Sequence, residues 1–198
     1  MRLSEARRDL YRRLAREQGY KSRAAFKLIE ANERYGFIRE GDRVADFGAA
    51  PGGWLQVASA LVGTEGLVVG VDLSPIRLRE KNVASIKMDV HDPAAAERVA
   101  QALGGKADVV LSDLAPTVTG VWELDQTRQI DLTLRVLDLS RSLLKEGGRV
   151  YCKLFEGAGS QGVRDEFRRR FSSVRVIKPA ASRNESSELY YLCEGMKD

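Results

Sequence analysis

From Arg43 onward the chain alternates short apolar runs with stretches of helical length, and no other feature limits the fold as strongly. The apolar runs occupy 44–47, 67–71, 85–88, 109–112 and 149–154. Between them, 53–61, 75–82, 93–103 and 125–145 read as helices. Strands joined by helical crossovers run parallel, and a parallel sheet needs both of its faces covered. A further helix is expected over 163–171, followed by runs at 174–177 and 189–193 with no helix between them. That last pair reads as antiparallel strands at the sheet edge. The pattern therefore predicts one open α/β domain with a mostly parallel seven-stranded sheet, an antiparallel edge pair and helices on both faces. At 198 residues the chain is long enough to bury such a core without disulfide support.

The first forty residues differ in character. Residues 3–18 read as a helix with Leu3, Leu10 and Leu14 on one side and Arg8, Arg12 and Arg16 stacked on another. Ser22 reads as the N-cap of a second helix that carries Phe26, Leu28 and Ile29 and runs to about Tyr35. The net charge of +4 is unevenly spread. Residues 1–27 hold nine basic and three acidic side chains, a net of +6, so the other 171 sum to −2. Charge gathered at one end fits a polyanionic partner, although a basic run can also be only a solvated helix face. A second basic cluster, Arg164 with Arg168, Arg169 and Arg170, is open to the same two readings. Residues 1–22 are expected to form a basic helical extension and residues 23–198 the globular domain.

The first turn is charged and has no apolar core, so no secretory signal is expected. The most apolar stretches are too short to span a bilayer, and a cytoplasmic, monomeric protein is the expectation. One histidine and no Cys-x-x-Cys pair argue against a metal site. Cys152 and Cys193 both lie in strand-like runs and read as small buried thiols, with a disulfide between them as the alternative.

The segment VADFGAAPGGW follows the first strand and opens a helix. Glycines at 48, 52 and 53 let the backbone approach a ligand, but their spacing is not that of a dinucleotide-binding loop. Three carboxylates sharpen the reading. Asp46 ends the first strand, Asp72 ends the second about twenty residues past the glycines, and Asp89 follows the third. Asp72 is placed to hold a ribose diol and Asp89 to meet an adenine amino group. Any one of them could equally cap a loop. Together, at the carboxyl edge of a parallel sheet, they describe a nucleoside pocket. Without phosphate-loop spacing, S-adenosylmethionine fits better than NAD.

Three motifs, DFGAAPGGW, SDLAP and SRAAFKL, resemble those of the FtsJ-like RNA 2′-O-methyltransferases, and the likeness runs from about Lys21 to Glu194. The resemblance implies a Rossmann-like S-adenosylmethionine methyltransferase fold. It implies cofactor contacts at Gly52, Trp54, Asp72, Asp89 and Asp113, beside the Asp46 and Gly48 already singled out. Trp54 would pack a large apolar side chain near the cofactor. It also implies a catalytic Lys–Asp–Lys–Glu set, matched here by Lys27, Asp113, Lys153 of VYCKLFEG and Glu188 of SSELYY. Spacing alone does not bring these four together. The implied substrate is RNA, with a uridine of large-subunit ribosomal RNA, alone or in the large ribosomal subunit, as first expectation.

The residue types suit the reaction. A ribose hydroxyl becomes nucleophilic when its proton is taken, and a lysine takes it only when neutral. Burial and a nearby cation both favour the neutral amine; Lys27 and the sulfonium of the cofactor are the candidate cations. Asp113 would oppose that tendency if paired with Lys153, though it could also orient the amine. Read without the family, Lys153 could snorkel from a strand end and Glu188 could be an edge-strand charge. Trp122, in TVTGVWELD, reads as part of a mobile loop that could stack on a splayed base, or as a core tryptophan. Alternatives to the ribosomal target are the anticodon loop of transfer RNA, a non-catalytic RNA-binding assembly factor and a nicotinamide dehydrogenase. The complete four-residue set argues against the second and the glycine spacing against the third.

Overall fold

The computed structural model describes residues 3–182 and 187–197, with side chains from residue 10 onward. The side chains of Leu3 and Arg8, named above, lie outside the described residues. The strands are β1 (Arg43–Phe47), β2 (Leu67–Asp72), β3 (Val83–Lys87), β4 (Ala107–Ser112), β5 (Leu144–Phe155), β6 (Phe171–Ile177) and β7 (Glu188–Met196). Among the described residues they form one seven-stranded sheet in the order β3-β2-β1-β4-β5-β7-β6. Neighbours from β3 to β5 pair in parallel, and β7 is antiparallel to both β5 and β6. The expected antiparallel pair is present. Its second strand in sequence, β7, is the inner member, and β6 forms the edge.

The helices are α1 (Leu3–Glu17), α2 (Ala25–Tyr35), α3 (Gly53–Val62), α4 (Ala95–Leu103), α5 (Trp122–Leu143) and α6 (Ser160–Arg170). Successive strand residues point to opposite faces, so each strand feeds two cores. Ala45, Val69, Val110, Val150 and Tyr191 pack with α4, α5 and α6. Val44, Val68, Val109, Tyr151 and Tyr190 pack with α2 and α3 on the other side. Cys152 and Cys193 are buried free thiols on the first face, and burial pushes both thiols up, which keeps them inert.

Two local expectations fail. Residues 75–82 are not helical; they form an irregular strap over α3 that ends in a turn at 81–82. Ile76 and Leu78 pack into the α2/α3 core, and the Asn82 amide donates to the carbonyls of Ser59 and Gly63. Eight residues gain few helical bonds against the cost of nucleation, so side-chain anchoring wins. Ser22 does not cap α2. Its carbonyl accepts from the Ala25 N–H at 3.3 Å, in a tight turn that continues through Arg23 and Ala24. Its hydroxyl occupies the space where a side chain on residue 53 would sit, which explains the glycine there.

The extension is joined to the domain. The Tyr11 and Tyr20 rings meet Phe26 of α2 at 5.4 and 5.8 Å. The Gln56 side chain of α3 accepts from the Lys21 N–H at 2.8 Å and donates to the Gly19 carbonyl at 3.1 Å. These contacts fix the path of the chain into α2, which carries Lys27.

Candidate active site

Two cavities adjoin at the carboxyl end of the parallel strands. One, of about 560 Å³, is lined by Lys27, Lys153, Glu188, Trp122 and Phe155, among others. The second, of about 430 Å³, is lined by Gly48, Asp72, Asp89, His91, Asp113 and Leu114, among others. Ala115 lines both. Two compartments meeting just past the end of β4 suit a reaction that passes a small group from one bound molecule to another.

Four separate elements deliver the charged set to the two cavities: Lys27, Lys153 and Glu188 line the first and Asp113 the second. Lys27 comes from α2, Asp113 from the end of β4, Lys153 from β5 and Glu188 from the start of β7. The antiparallel register sets Lys153 opposite Tyr190 and Phe155 opposite Glu188, so β7 brings its glutamate to the strand ends. Lys153 is 5 % exposed, and its Nζ donates to the carbonyl and to Oδ1 of Asp113 at 2.7 and 3.1 Å. Lys27 Nζ donates to Glu188 Oε1 at 2.7 Å and to the Tyr190 hydroxyl at 2.8 Å, and lies 4.0 Å from Asp113 Oδ1. The Tyr190 hydroxyl donates in turn to Asp113 Oδ1 at 2.5 Å. One phenol thus bridges the two lysine–carboxylate pairs.

Two amines and two carboxylates balance, so the cluster tolerates its burial. Burial alone would raise the Asp113 carboxyl. Lys153, Lys27 and the Tyr190 hydroxyl together outweigh it and hold the group below the usual carboxylate range. The backbone under Lys153 is also fixed. β4 ends at Ser112, opposite Cys152, and beyond it the Lys153 carbonyl accepts from Gln129 Nε2 at 3.2 Å and Thr133 Oγ1 at 3.1 Å, both on α5.

In the second cavity the Asp72 carboxylate accepts from the Ala50 N–H at 3.0 Å and the Ser74 N–H at 2.8 Å, tying the glycine turn to β2. Gly48 has φ +80°, and a side chain there would meet Leu114 at about 3 Å. Only glycine allows that backbone approach. Asp89 accepts from the His91 N–H at 2.9 Å and faces its ring Nδ1 at 3.0 Å, and the other ring nitrogen faces Asp131 at 3.1 Å. The bonds from His91 hold Asp89 below its ordinary value.

Three of the residues singled out in the sequence stand back from the cavities. The indole of Trp54 is buried among Tyr151 and Tyr190, at 5.5 and 5.9 Å, and donates to the Ala24 carbonyl at 2.7 Å. Its ring locks α2 onto α3 and lines neither cavity. Gly52, at φ +113°, caps α3 beneath Leu78 of the strap. Asp46 is fully buried, and neither carboxylate oxygen has a partner among the described residues. Burial first, then Asp113 and Asp72, push its carboxyl well up.

Trp122 is the first residue of α5, outside the preceding loop, and that loop is anchored. Asp125 accepts from the backbone and hydroxyl of Thr119, both at 2.8 Å, and from the Gly120 N–H at 3.2 Å. The basic end of α6 is largely occupied within the chain: Arg168 pairs with Asp165, Arg169 with Glu166, and Arg170 with Glu166 and Asp138. Sequence reasoning missed Tyr190, Phe155 and His91. Tyr190 and Phe155 each lie two residues past a residue singled out there (Glu188, Lys153), so the alternation of side chains along β7 and β5 was the available signal; His91 lies in a turn after β3, where strand alternation gives none.

Similar proteins identify the family. The family model for FtsJ-like methyltransferases matches residues 20–196. The chain belongs to that family. Among curated relatives, a protein of Methanothrix thermoacetophila named ribosomal RNA large subunit methyltransferase E is 45% identical over 190 residues, 96% of this chain and 73% of that protein. One of the same name from Cenarchaeum symbiosum is 44% identical over the full length of both chains. Among solved structures, a crystal structure described as that of a ribosomal RNA methyltransferase from Plasmodium falciparum superimposes with a TM-score of 0.80. It is 25% identical and covers 89% of this chain and 98% of its own. Membership fixes methyl transfer as the class of chemistry and implies a methyl donor of the S-adenosylmethionine type. Among the described residues no helix is long and apolar enough to cross a membrane.

Proposed function

We propose that this methyltransferase transfers the methyl group of S-adenosylmethionine to a ribose 2′-hydroxyl of ribosomal RNA, at a uridine of the large subunit, acting as a monomer. The observation that carries the reading is Lys153: a buried amine, aimed by two oxygens of Asp113, at the junction of two cavities. The names borne by relatives covering 96% and 100% of the chain support the ribosomal substrate.

The second cavity suits the donor. It combines a glycine cradle at Gly48, two cavity-lining carboxylates able to accept from hydroxyl and amino groups, and a volume within the usual range for small ligands. Asp72 would take the ribose diol and Asp89 the adenine amino group. Gly52 and Trp54 would contribute backbone N–H groups of the first turn of α3 rather than side chains. Asp46 stays behind the turn, fully buried, where burial and the nearby Asp113 and Asp72 disfavour its charged form. When bound, S-adenosylmethionine supplies an electrophilic methyl group on a cationic sulfur, which opposes positive charge on the facing amine.

The remaining steps belong to the chain. Lys153 Nζ, in its neutral form, takes the proton of the 2′-hydroxyl, and Asp113 keeps the amine pointed at the junction. Lys27 and Glu188, already bonded to each other, hold the ribose so that its oxygen approaches along one line. The basic extension, residues 1–22, meets phosphates flanking the target.

The test is to incubate the protein with labelled donor and three substrates, intact large subunits, free ribosomal RNA and transfer RNA, and to map the methylated nucleotide. Label at a 2′-oxygen of large-subunit RNA is the expected result. Label confined to transfer RNA, or at a base atom, would refute the assignment.

A further inference from the structure

We infer that Trp122 and Phe155 form a stacking platform for the base of the nucleotide whose ribose is methylated. The inference rests on the proposed RNA reaction and assigns a subsite within it.

Exposed apolar surface is concentrated beside the first cavity. Val118, Val121, Trp122 and Leu124 are all exposed, Trp122 by 44 %. Trp122 and Phe155 line the cavity that also holds Lys27, Lys153 and Glu188. Their rings lie 6.2 Å apart at 21°, close to parallel. A large indole left open to water needs a partner or a reason, and packing on one neighbouring ring leaves its other surface available. The cavity also contains the cations that a nucleotide backbone requires, Arg23 and Lys27.

The spacing points to the target's own base. Phe155 follows Lys153 by two residues on β5, so the two side chains leave the same face of the strand. At about 3.3 Å of rise per residue their backbones lie roughly 7 Å apart, the scale of a sugar and the base attached to it. With the ribose held at Lys153, Lys27 and Glu188, its base reaches the Trp122–Phe155 rings without leaving the cavity. The platform is rigid, because Trp122 opens α5 and Asp125 of the same helix pins the preceding loop. No base-reading hydrogen-bond donor is required. Stacking accepts any base, so the platform supplies affinity and orientation rather than sequence choice.

The test combines Trp122→Ala and Trp122→Phe with short large-subunit RNAs carrying the mapped nucleotide, intact or with its base removed. Trp122→Ala should weaken binding of intact RNA by roughly 5- to 150-fold, the usual range for one stacked base. Trp122→Phe should recover most of that loss. On RNA lacking the target base, wild type and Trp122→Ala should bind alike, and affinity for the methyl donor should be unchanged throughout. Binding of intact RNA should also quench an indole signal that Trp122→Phe lacks, the other tryptophan being the buried Trp54. Equal affinity of wild type and Trp122→Ala for intact RNA would overturn the inference. So would a Trp122 effect that vanishes only when a flanking base is removed. Methylation by the wild-type protein, run in parallel, separates the two failures. Transfer with an inert Trp122 sinks the platform alone, whereas no transfer to any ribose sinks the proposed reaction and the platform with it.

Discussion

Replacing Tyr190 with phenylalanine removes one oxygen from the middle of the charged cluster and leaves the ring in place. Tyr190 is fully buried and stacks on Tyr151 at 5.1 Å, so the variant ring fills the same volume and no cavity forms. Two hydrogen bonds are lost, one donated to Asp113 at 2.5 Å and one accepted from Lys27 at 2.8 Å. Each involves a charged partner and is worth about 1.5–3 kcal/mol. Neither partner is stranded: Asp113 Oδ1 keeps Lys153 at 3.1 Å, and Lys27 keeps Glu188 at 2.7 Å. The net loss should therefore be nearer one bond than two, about 1.5–3 kcal/mol. For a domain of this size that lowers the melting midpoint by about 3–12 °C. If the same energy keeps Asp113 in line with Lys153 at the transition state, kcat falls by about 10- to 150-fold, at 1.36 kcal/mol per decade. Thermal melts and single-turnover methyl transfer measure the two effects, and calorimetry with the donor should show unchanged affinity. A Tyr190→Phe protein that melts with the wild type and turns over within about twofold of it would refute the bridging role. A cycle with Lys27→Met would locate the error, since independent losses that simply add mean the hydroxyl does not couple the pairs.

Lys153→Ala should lower turnover by about 10²–10⁴-fold with donor affinity within a few fold, the usual share of one general base; a collapse of donor binding would move this lysine to the cofactor site. His91 is held above its ordinary value of 6.5, first by its bond to Asp89 and also by Asp131. A raised value means that its stabilisation is fully present below about pH 6.5 and fades as pH rises through the raised value. The melting gap between wild type and His91→Gln should therefore narrow from pH 6 to pH 8, and a constant gap would show that the ring's charge contributes nothing. Arg12 and Arg16 are exposed on one face of α1, so Arg12→Gln with Arg16→Gln should weaken RNA binding. If each contacts one phosphate, the pair should also flatten the salt dependence by about 1.4–1.8 in log–log slope. An unchanged slope would remove this face from the RNA surface.

Much of the architecture was legible because its signals are local. The alternation of strand and helix lengths from Arg43 onward is written in neighbouring residues, and β1, β2, β4, α3 and α4 lie close to where that pattern puts them. Resemblance in three short motifs pointed to the family. The composition of 75–82 allows a helix, but the conformation of the strap depends on Ser59 of α3 and Gly63 at its C-terminus, which hold Asn82. The family resemblance implies a cofactor contact at Trp54 but does not show where its side chain packs. Its actual neighbours, Ala24, Tyr151 and Tyr190, are distant in sequence and took the indole into the core.

By itself the sequence determined that a parallel sheet would form, that its strand ends would gather acidic residues, and that the charge would lie at one end of the chain. The tertiary structure alone decided that Lys27, Asp113, Lys153 and Glu188 share one hydroxyl-bridged cluster, that Asp46 is fully buried with no partner among the described residues, and that Trp122 stands beside Phe155 at the cavity. Strand propensity acts between near neighbours, whereas these contacts join residues up to 163 positions apart. They exist only because β7 folds back between β5 and β6 and sets Tyr190 opposite Lys153, a pairing specified by long-range register and burial.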